Sequence, residues 1–295
     1  MATEAKLRDD LDTRLRSAPR GGFTQAARVA ARARLLAMGL PGRRDEYWRF
    51  TDPAELNAAL PVAAEDPVAE ALLSADGALA LRFDGGALRV TGTDFNGTDR
   101  TIGWGAAGGA FDITDAANRF EVSADINGAG ALIKRGEGTL ILSGDNAFGG
   151  ARIEDGGLIG TTSSLFGDIA LISASSRLSL VNANAGIFAG AFSGVGRVSL
   201  DGPGTVLLTG DSSGFSGVTT LNAGTLLVGN ANGLGRLGGS LNVLDGATLG
   251  GSGVIGSGAG SHVSIASGGV LSPGNSIGTL TINGDLTLAA GARFE

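Results

Sequence analysis

Cysteine is absent from the 295 residues, so no disulfide, thiolate metal site or cysteine nucleophile can form. Histidine occurs once, as His262, which gives neither a His-rich metal site nor a catalytic dyad legible in one dimension. Aromatic residues make up only 5%, too few for a stacking platform for bases or sugars. No apolar run approaches the roughly 18 residues of a transmembrane helix. The opening MATEAKLRDD is charged and has no apolar core, so it does not read as a signal peptide. Basic residues are scarce where they would matter for nucleic acid. Residues 1–92 hold 13 of the 22 Lys/Arg and 13 of the 29 Asp/Glu, so the whole net charge of -7 lies in residues 93–295. An acidic, Lys-poor segment is a poor partner for phosphate backbones.

Glycine, by contrast, is abundant. Of 52 glycines, only 8 lie in residues 1–92. Apolar content is 43%, which excludes a disordered Gly-rich tract, and no Gly-X-Y period is present, which excludes collagen. Proline divides the other way, with 5 of 7 in residues 1–92. The chain therefore changes character near Gly92, and two regions are expected, 1–92 and 93–295.

In the first region, residues 24–38 read as a helix. Thr24 is its cap, Gly39 its stop, and Ala26, Val29, Ala30 and Ala33 recur at helical spacing. A second short helix is expected after Pro53, with Asp52 as cap. Between them lies LPGRRDEYWRFTDP, Leu40 to Pro53. Tyr47, Trp48 and Phe50 read as packing anchors, and Arg43, Arg44, Asp45 and Glu46 as a solvated, ion-paired turn. Through Met38, Gly39, Leu40, Pro41, Arg43, Arg44, Glu46, Trp48, Arg49, Phe50, Thr51 and Asp52 the segment resembles the N-terminal region of SufD, a scaffold subunit of the SufBCD iron–sulfur assembly complex. That resemblance implies SufB and SufC as partners. It carries no cluster ligand across, because the chain lacks cysteine and His262 falls outside the match.

The second region contains an internal repeat. One copy reads GEGTLILSGDNAFGGARIEDGGLIG, Gly136 to Gly160; the other reads GPGTVLLTGDSSGFSGVTTLNAGTLLVG, Gly202 to Gly229. Repetition of this kind points to a structure that grows by stacking similar units. Short strands are expected at Thr139–Leu142, Thr205–Leu208, Leu226–Val228, Leu241–Leu244, Val263–Ile265, Thr279–Ile282 and Leu286–Leu288, each bounded by Gly, Asn, Asp or Ser. Even spacing with glycine at the corners fits a parallel β-helix of roughly 20–25 residues per coil. The repeats resemble the autotransporter-associated β-strand repeat of Gram-negative passenger domains, through Gly138, Thr139, Leu140, Leu142, Gly144, Asn146 and Phe148 in one copy and Gly204, Thr205, Leu208, Gly210, Phe215, Gly217, Thr219 and Leu221 in the other. The stretch Gly268 to Glu295 resembles the end of such passengers. This implies a cell-surface location, an adhesive or structural role, and an unidentified surface ligand.

Asp145, Asp155, Asp168, Asp201, Asp211, Asp245 and Asp285 recur at turns, where Asp caps nearby backbone N–H groups; the Gly-Gly-x-Gly-x-Asp pattern of stacked calcium turns is missing. GGSGVIGSGAG, Gly250 to Gly260, lacks the Gly-Lys-Ser/Thr of a phosphate loop. Glu154 and Asp155 adjoin, but strand neighbours point to opposite faces, so they form no catalytic carboxylate pair. Asn96-Gly97-Thr98 is a glycosylation sequon, meaningful only in a eukaryotic secretory setting. The expectation is a mainly β protein: a right-handed parallel β-helix over 93–295 preceded by a short α-helical segment. It is a non-enzymatic passenger-type module with no catalytic, metal or cofactor residues. The alternatives are a cytoplasmic SufD-like scaffold subunit, or a chimera of the two segments without native function.

Overall fold

The computed structural model describes residues 80–230, 234–274 and 278–295. The helices expected over residues 24–38 and after Pro53, and the Leu40–Pro53 signature, lie outside the described residues. The described residues all fall in the unit Pro67–Glu295. They form a parallel β-solenoid of about nine turns, with no helix among the described residues. The β-helix expected from the repeat is thus met.

One sheet runs through nearly all of the coils. Its ten strands are Gly97–Thr98, Arg119–Val122, Thr139–Leu142, Gly157–Gly160, Arg177–Leu180, Arg197–Leu200, Val218–Leu221, Ser240–Val243, His262–Ile265 and Asp285–Leu288. Every pairing between them is parallel, and the register offset per coil runs from 18 residues (Thr139 to Gly157) to 24 (Gly97 to Glu121). Two further faces complete each coil. Six strands from Ala87–Val90 to Phe192–Gly194 form one, and four from Asp211–Ser212 to Thr281–Ile282 continue it. Six from Gly186–Phe188 to Arg293–Phe294 form the other. Parallel strands cannot be joined by hairpins, so each turn of chain must travel around the other faces before it returns.

Alternation within each short strand decides what is inside. On the long sheet, Phe120, Leu140, Leu158, Leu178, Val198, Thr219, Leu241 and Val263 follow one another in register as an inward column. All are buried. Fully burying each aliphatic or Phe side chain contributes about 1.5–3 kcal/mol, so the column supplies stability one coil at a time. Aromatics concentrate in the first coils, where Phe83 contacts both Trp104 (ring centroids 5.2 Å) and Phe111 (5.1 Å). The Trp104 indole N–H donates to the Gly130 carbonyl at 2.8 Å. In the last coil the inward positions Leu286 and Leu288 remain half exposed.

The corners require glycine for a steric reason. Gly156 sits at φ +68°, and a Cβ there would lie 2.4 Å from the carbonyl oxygens of Gly136 and Gly138 in the preceding coil. Gly224, at φ +73°, stands in the same relation to Gly204 and Gly202, at 2.3 and 2.5 Å. Coil therefore lies on coil through backbone alone. The segment LALRFDGGALRV forms two strands, Leu81–Phe83 and Ala87–Val90. They do not pair with each other. They pair with Ile102–Trp104 and Gly109–Ile113, because Gly85 at φ +90° turns a corner between two faces and not a hairpin.

Candidate interaction surface

The long sheet presents a regular outer face. Its central outward column runs Glu121, Ile141, Ile159, Ser179, Ser199, Thr220, Asn242, Ser264 and Thr287. From Ser179 onward every member carries a hydroxyl or an amide. The column beside it holds Arg119, Thr139, Gly157, Arg177, Arg197, Val218, Ser240, His262 and Asp285. Successive rungs are about 4.8 Å apart, the strand spacing of any sheet.

Charges on this face differ from those on the six-stranded sheet that begins with Ala87–Val90. On the neighbouring face, Arg89 pairs with Asp112 at 2.7 Å, and Arg135 and Arg152 both pair with Glu154 at 3.1 Å. Arg119, Arg177 and Arg197 are exposed and make no ion pair among the described residues. Beside them Asp201 is taken up internally. It accepts from the hydroxyls of Ser179 and Ser199 and from the Asn222 amide. Partial burial alone would raise this carboxyl; the three hydrogen bonds outweigh it and hold the group below its ordinary range.

The other aspartates do local work. Asp155 accepts from the Gly156 N–H at 2.8 Å, and its pKa is lowered by the Ser175 hydroxyl, then by that N–H, and further by the charges of Lys134 and Arg177. Asp168 accepts from Ala191 N–H at 2.8 Å, one coil on. Asp211 accepts from Ser213 N–H at 3.0 Å, and bonding to Ser213 lowers its pKa. The backbone N–H of Asp145 donates to Asp125 at 2.8 Å. Asp245 lies against Gly268. Asp285 stands beside His262 in register. No group of three or more His, Asp or Glu able to hold a metal occurs among the described residues.

In the stretch Gly250 to Gly260, Gly251 and Gly256 serve coil contact. A Cβ at Gly251 would meet the Val228 carbonyl at 2.2 Å, and one at Gly256 the Asn283 carbonyl at 2.3 Å. Asn96 is exposed and precedes the first long-sheet strand, where its carbonyl accepts from Glu121 N–H at 3.0 Å. Among the described residues no helix is long and apolar enough to cross a membrane.

Among the polar residues buried inside the coil, Lys134 and Asn146 escape sequence reasoning. Lys134 is fully buried in the inward column of the second sheet, between Phe111 and Ile153. Its ammonium donates to the carbonyls of Arg135 and Gly136 at 2.7 Å and of Asp155 at 3.2 Å. Burial lowers its pKa to about 8 against the raising fields of Asp155 and Asp112. A signal was available: Leu132 and Lys134 are i and i+2, so alternation puts both inside. Asn146 figures in the sequence only as a motif position. Its side-chain oxygen accepts from Ile126 N–H and its amide donates to Ser164 C=O, both at 2.7 Å, so it ties three successive coils.

Fold and surface define a repeat protein of the parallel solenoid class, with coils built around glycine corners and a long, polar sheet face. Comparison places it more closely. Residues 132–159 and 200–228 match the Passenger-associated-transport-repeat family. The chain is similar to the adhesin BmaC autotransporter of Brucella suis biovar 1 (strain 1330), with 39% identity over 181 residues, covering 50% of this chain and 5% of that protein. The chain thus spans a small part of the length of this relative. No solved structure matches it.

Proposed function

We propose that the chain is a non-enzymatic, adhesive module of an autotransporter passenger, displayed at a Gram-negative cell surface and binding a ligand there. The carrying observation is that each passenger-type repeat winds through nearly one and a half coils of a parallel solenoid, in a chain similar to an autotransporter adhesin. A stack of such coils offers a long exposed face, which suits repeated weak contact over turnover. The coil winds right-handed, the hand that parallel crossover connections take.

The test is attachment. Beads coated with the purified chain should bind host or bacterial cells well above beads coated with an unrelated acidic protein. Equal binding by the two would end the adhesive reading. The Leu40–Pro53 signature supports a second reading, assembly with SufB and SufC. Stable co-purification with those subunits would replace the surface role with a cytoplasmic one.

A further inference from the structure

We infer that the outer face of the long sheet, from Arg177 to Ser264, binds a linear acidic polysaccharide lying along the solenoid axis. This rests on the adhesive reading and names the class of ligand. Arg177 and Arg197 are directly in register on adjacent strands, about 4.8 Å apart at the backbone. Like charges placed opposite one another destabilise a strand pair unless an anion lies between them. Neither guanidinium makes an ion pair among the described residues. The carboxylates nearby are already engaged. Asp201 is held by Ser179, Ser199 and Asn222, and Asp155, which feels the Arg177 charge, is bonded by Ser175 and the Gly156 N–H. Arg89, Arg135 and Arg152 on the neighbouring face all have carboxylate partners, whereas Arg177 and Arg197 have none among the described residues and stand directly in register.

The outward column two residues further along each strand holds hydrogen-bonding groups that the fold does not use. Thr220, Asn242 and Ser264 stand one rung apart, face outward, and make no side-chain hydrogen bond within the described molecule. A carboxylate or sulfate group bridging the two arginines would leave the following sugar units alongside this column, where hydroxyls meet hydroxyls and an amide. An extended polysaccharide matches the geometry because it too repeats along one axis at a short, constant interval. The net charge of -7 gives the chain no general attraction for polyanions, so binding must depend on this pair.

The test uses the full chain with immobilised heparin, polygalacturonate, neutral dextran and duplex DNA. Wild-type protein should bind heparin or polygalacturonate, more weakly at high salt, and leave dextran and DNA unbound. Arg177→Gln/Arg197→Gln should weaken that binding by about tenfold or more, as loss of charge-assisted hydrogen bonds does. Asn242→Ala/Ser264→Ala should weaken it by a few fold. Arg135→Gln/Arg152→Gln, on the other face, should leave it unchanged, and circular dichroism should match wild type in all three. No binding to either acidic glycan, equal loss in the Arg135/Arg152 variant, or equal binding to DNA would each overturn the inference. The bead assay separates the two readings. Wild-type beads that attach to cells but ignore acidic glycans sink this inference alone; beads that attach to nothing sink the adhesive reading.

Discussion

The two repeat segments, residues 132–159 and 200–228, share a motif yet occupy the solenoid differently. In the first, the Gly-Thr strand Thr139–Leu142 lies on the long sheet. In the second, the corresponding strand Thr205–Leu208 lies on the six-stranded face that ends with Arg293–Phe294, and it is Val218–Leu221 that reaches the long sheet. The motif therefore describes a coil without saying at which corner the coil starts. That freedom follows from the local chemistry. Each face needs only a short alternating strand and a glycine corner, so the same string serves from any starting face. What neighbours must share is register, and the stacked glycines enforce it in both copies: Gly156 on Gly136 and Gly138, Gly224 on Gly202 and Gly204.

The largest effects should come from charge placed inside either coil. Leu140→Asp and Val206→Asp each put a carboxylate at a position at most 2% exposed, and each should cost several kcal/mol, as an unpaired buried charge does. Urea unfolding would measure it. The comparison sharpens if both cost alike, since the two residues start the same motif on different faces; a near-neutral result for one would mean that its face is not part of the core. Next come the corners. Gly156→Ala and Gly224→Ala both drive a Cβ against carbonyl oxygens at a positive φ, and each should cost about 2–4 kcal/mol. A loss confined to one copy would show that only that corner is close-packed.

Coil length, strand positions and the choice of parallel β-helix are legible in the sequence, because glycine spacing and alternation are local signals. Thr139–Leu142 and Thr205–Leu208 fall where expected, to the residue. Which face each strand joins is not legible. It depends on how many residues each corner spends, and the register offset per coil ranges from 18 residues (Thr139 to Gly157) to 27 (Val254 to Thr281). The arginine column shows the same limit. Arg177 and Arg197 look unrelated along the chain, and only the 20-residue register brings them side by side. Lys134 sits between these cases: its parity is readable, but the carbonyls that receive its ammonium come from a turn 21 residues away as well as from its own.

Lys134 also distinguishes the first copy by pH. Its folded pKa of about 8 lies below the ordinary 10.5, so the folded state holds this proton less tightly than the unfolded chain does. Below pH 8 both states are protonated and the burial penalty is fully present. Between about pH 8 and 10.5 the folded state sheds the proton first, and stability should rise by about 1–3 kcal/mol. The charges facing the amine are Asp155 and Asp112, and Arg135 lies on its own strand. Lys134→Met should remove this share of the slope. Identical slopes in the two proteins, measured from urea midpoints across pH 7–10.5, would mean that the three carbonyl bonds compensate the ammonium in full.

The second copy has its own internal polar group, and parity explains it. After Phe148 the inward residues are Ala151 and Ile153, three and five positions on; after Phe215 they are Thr219 and Leu221, four and six positions on. The equivalent of Thr219 by position in the first copy is Arg152, which points out to Glu154. One change of parity therefore moves the motif's polar position from surface to core. There Thr219 is 1% exposed, and its hydroxyl finds no partner. It interrupts an aliphatic column between Val198 and Leu241. Thr219→Val keeps the shape and removes the unpaired hydroxyl, so it should stabilise the protein by about 1 kcal/mol, read as a higher urea midpoint with an unchanged slope. A destabilised Val variant would mean that the hydroxyl has a partner in solution, and that the second copy tolerates its altered parity by hydrogen bonding and not by packing alone.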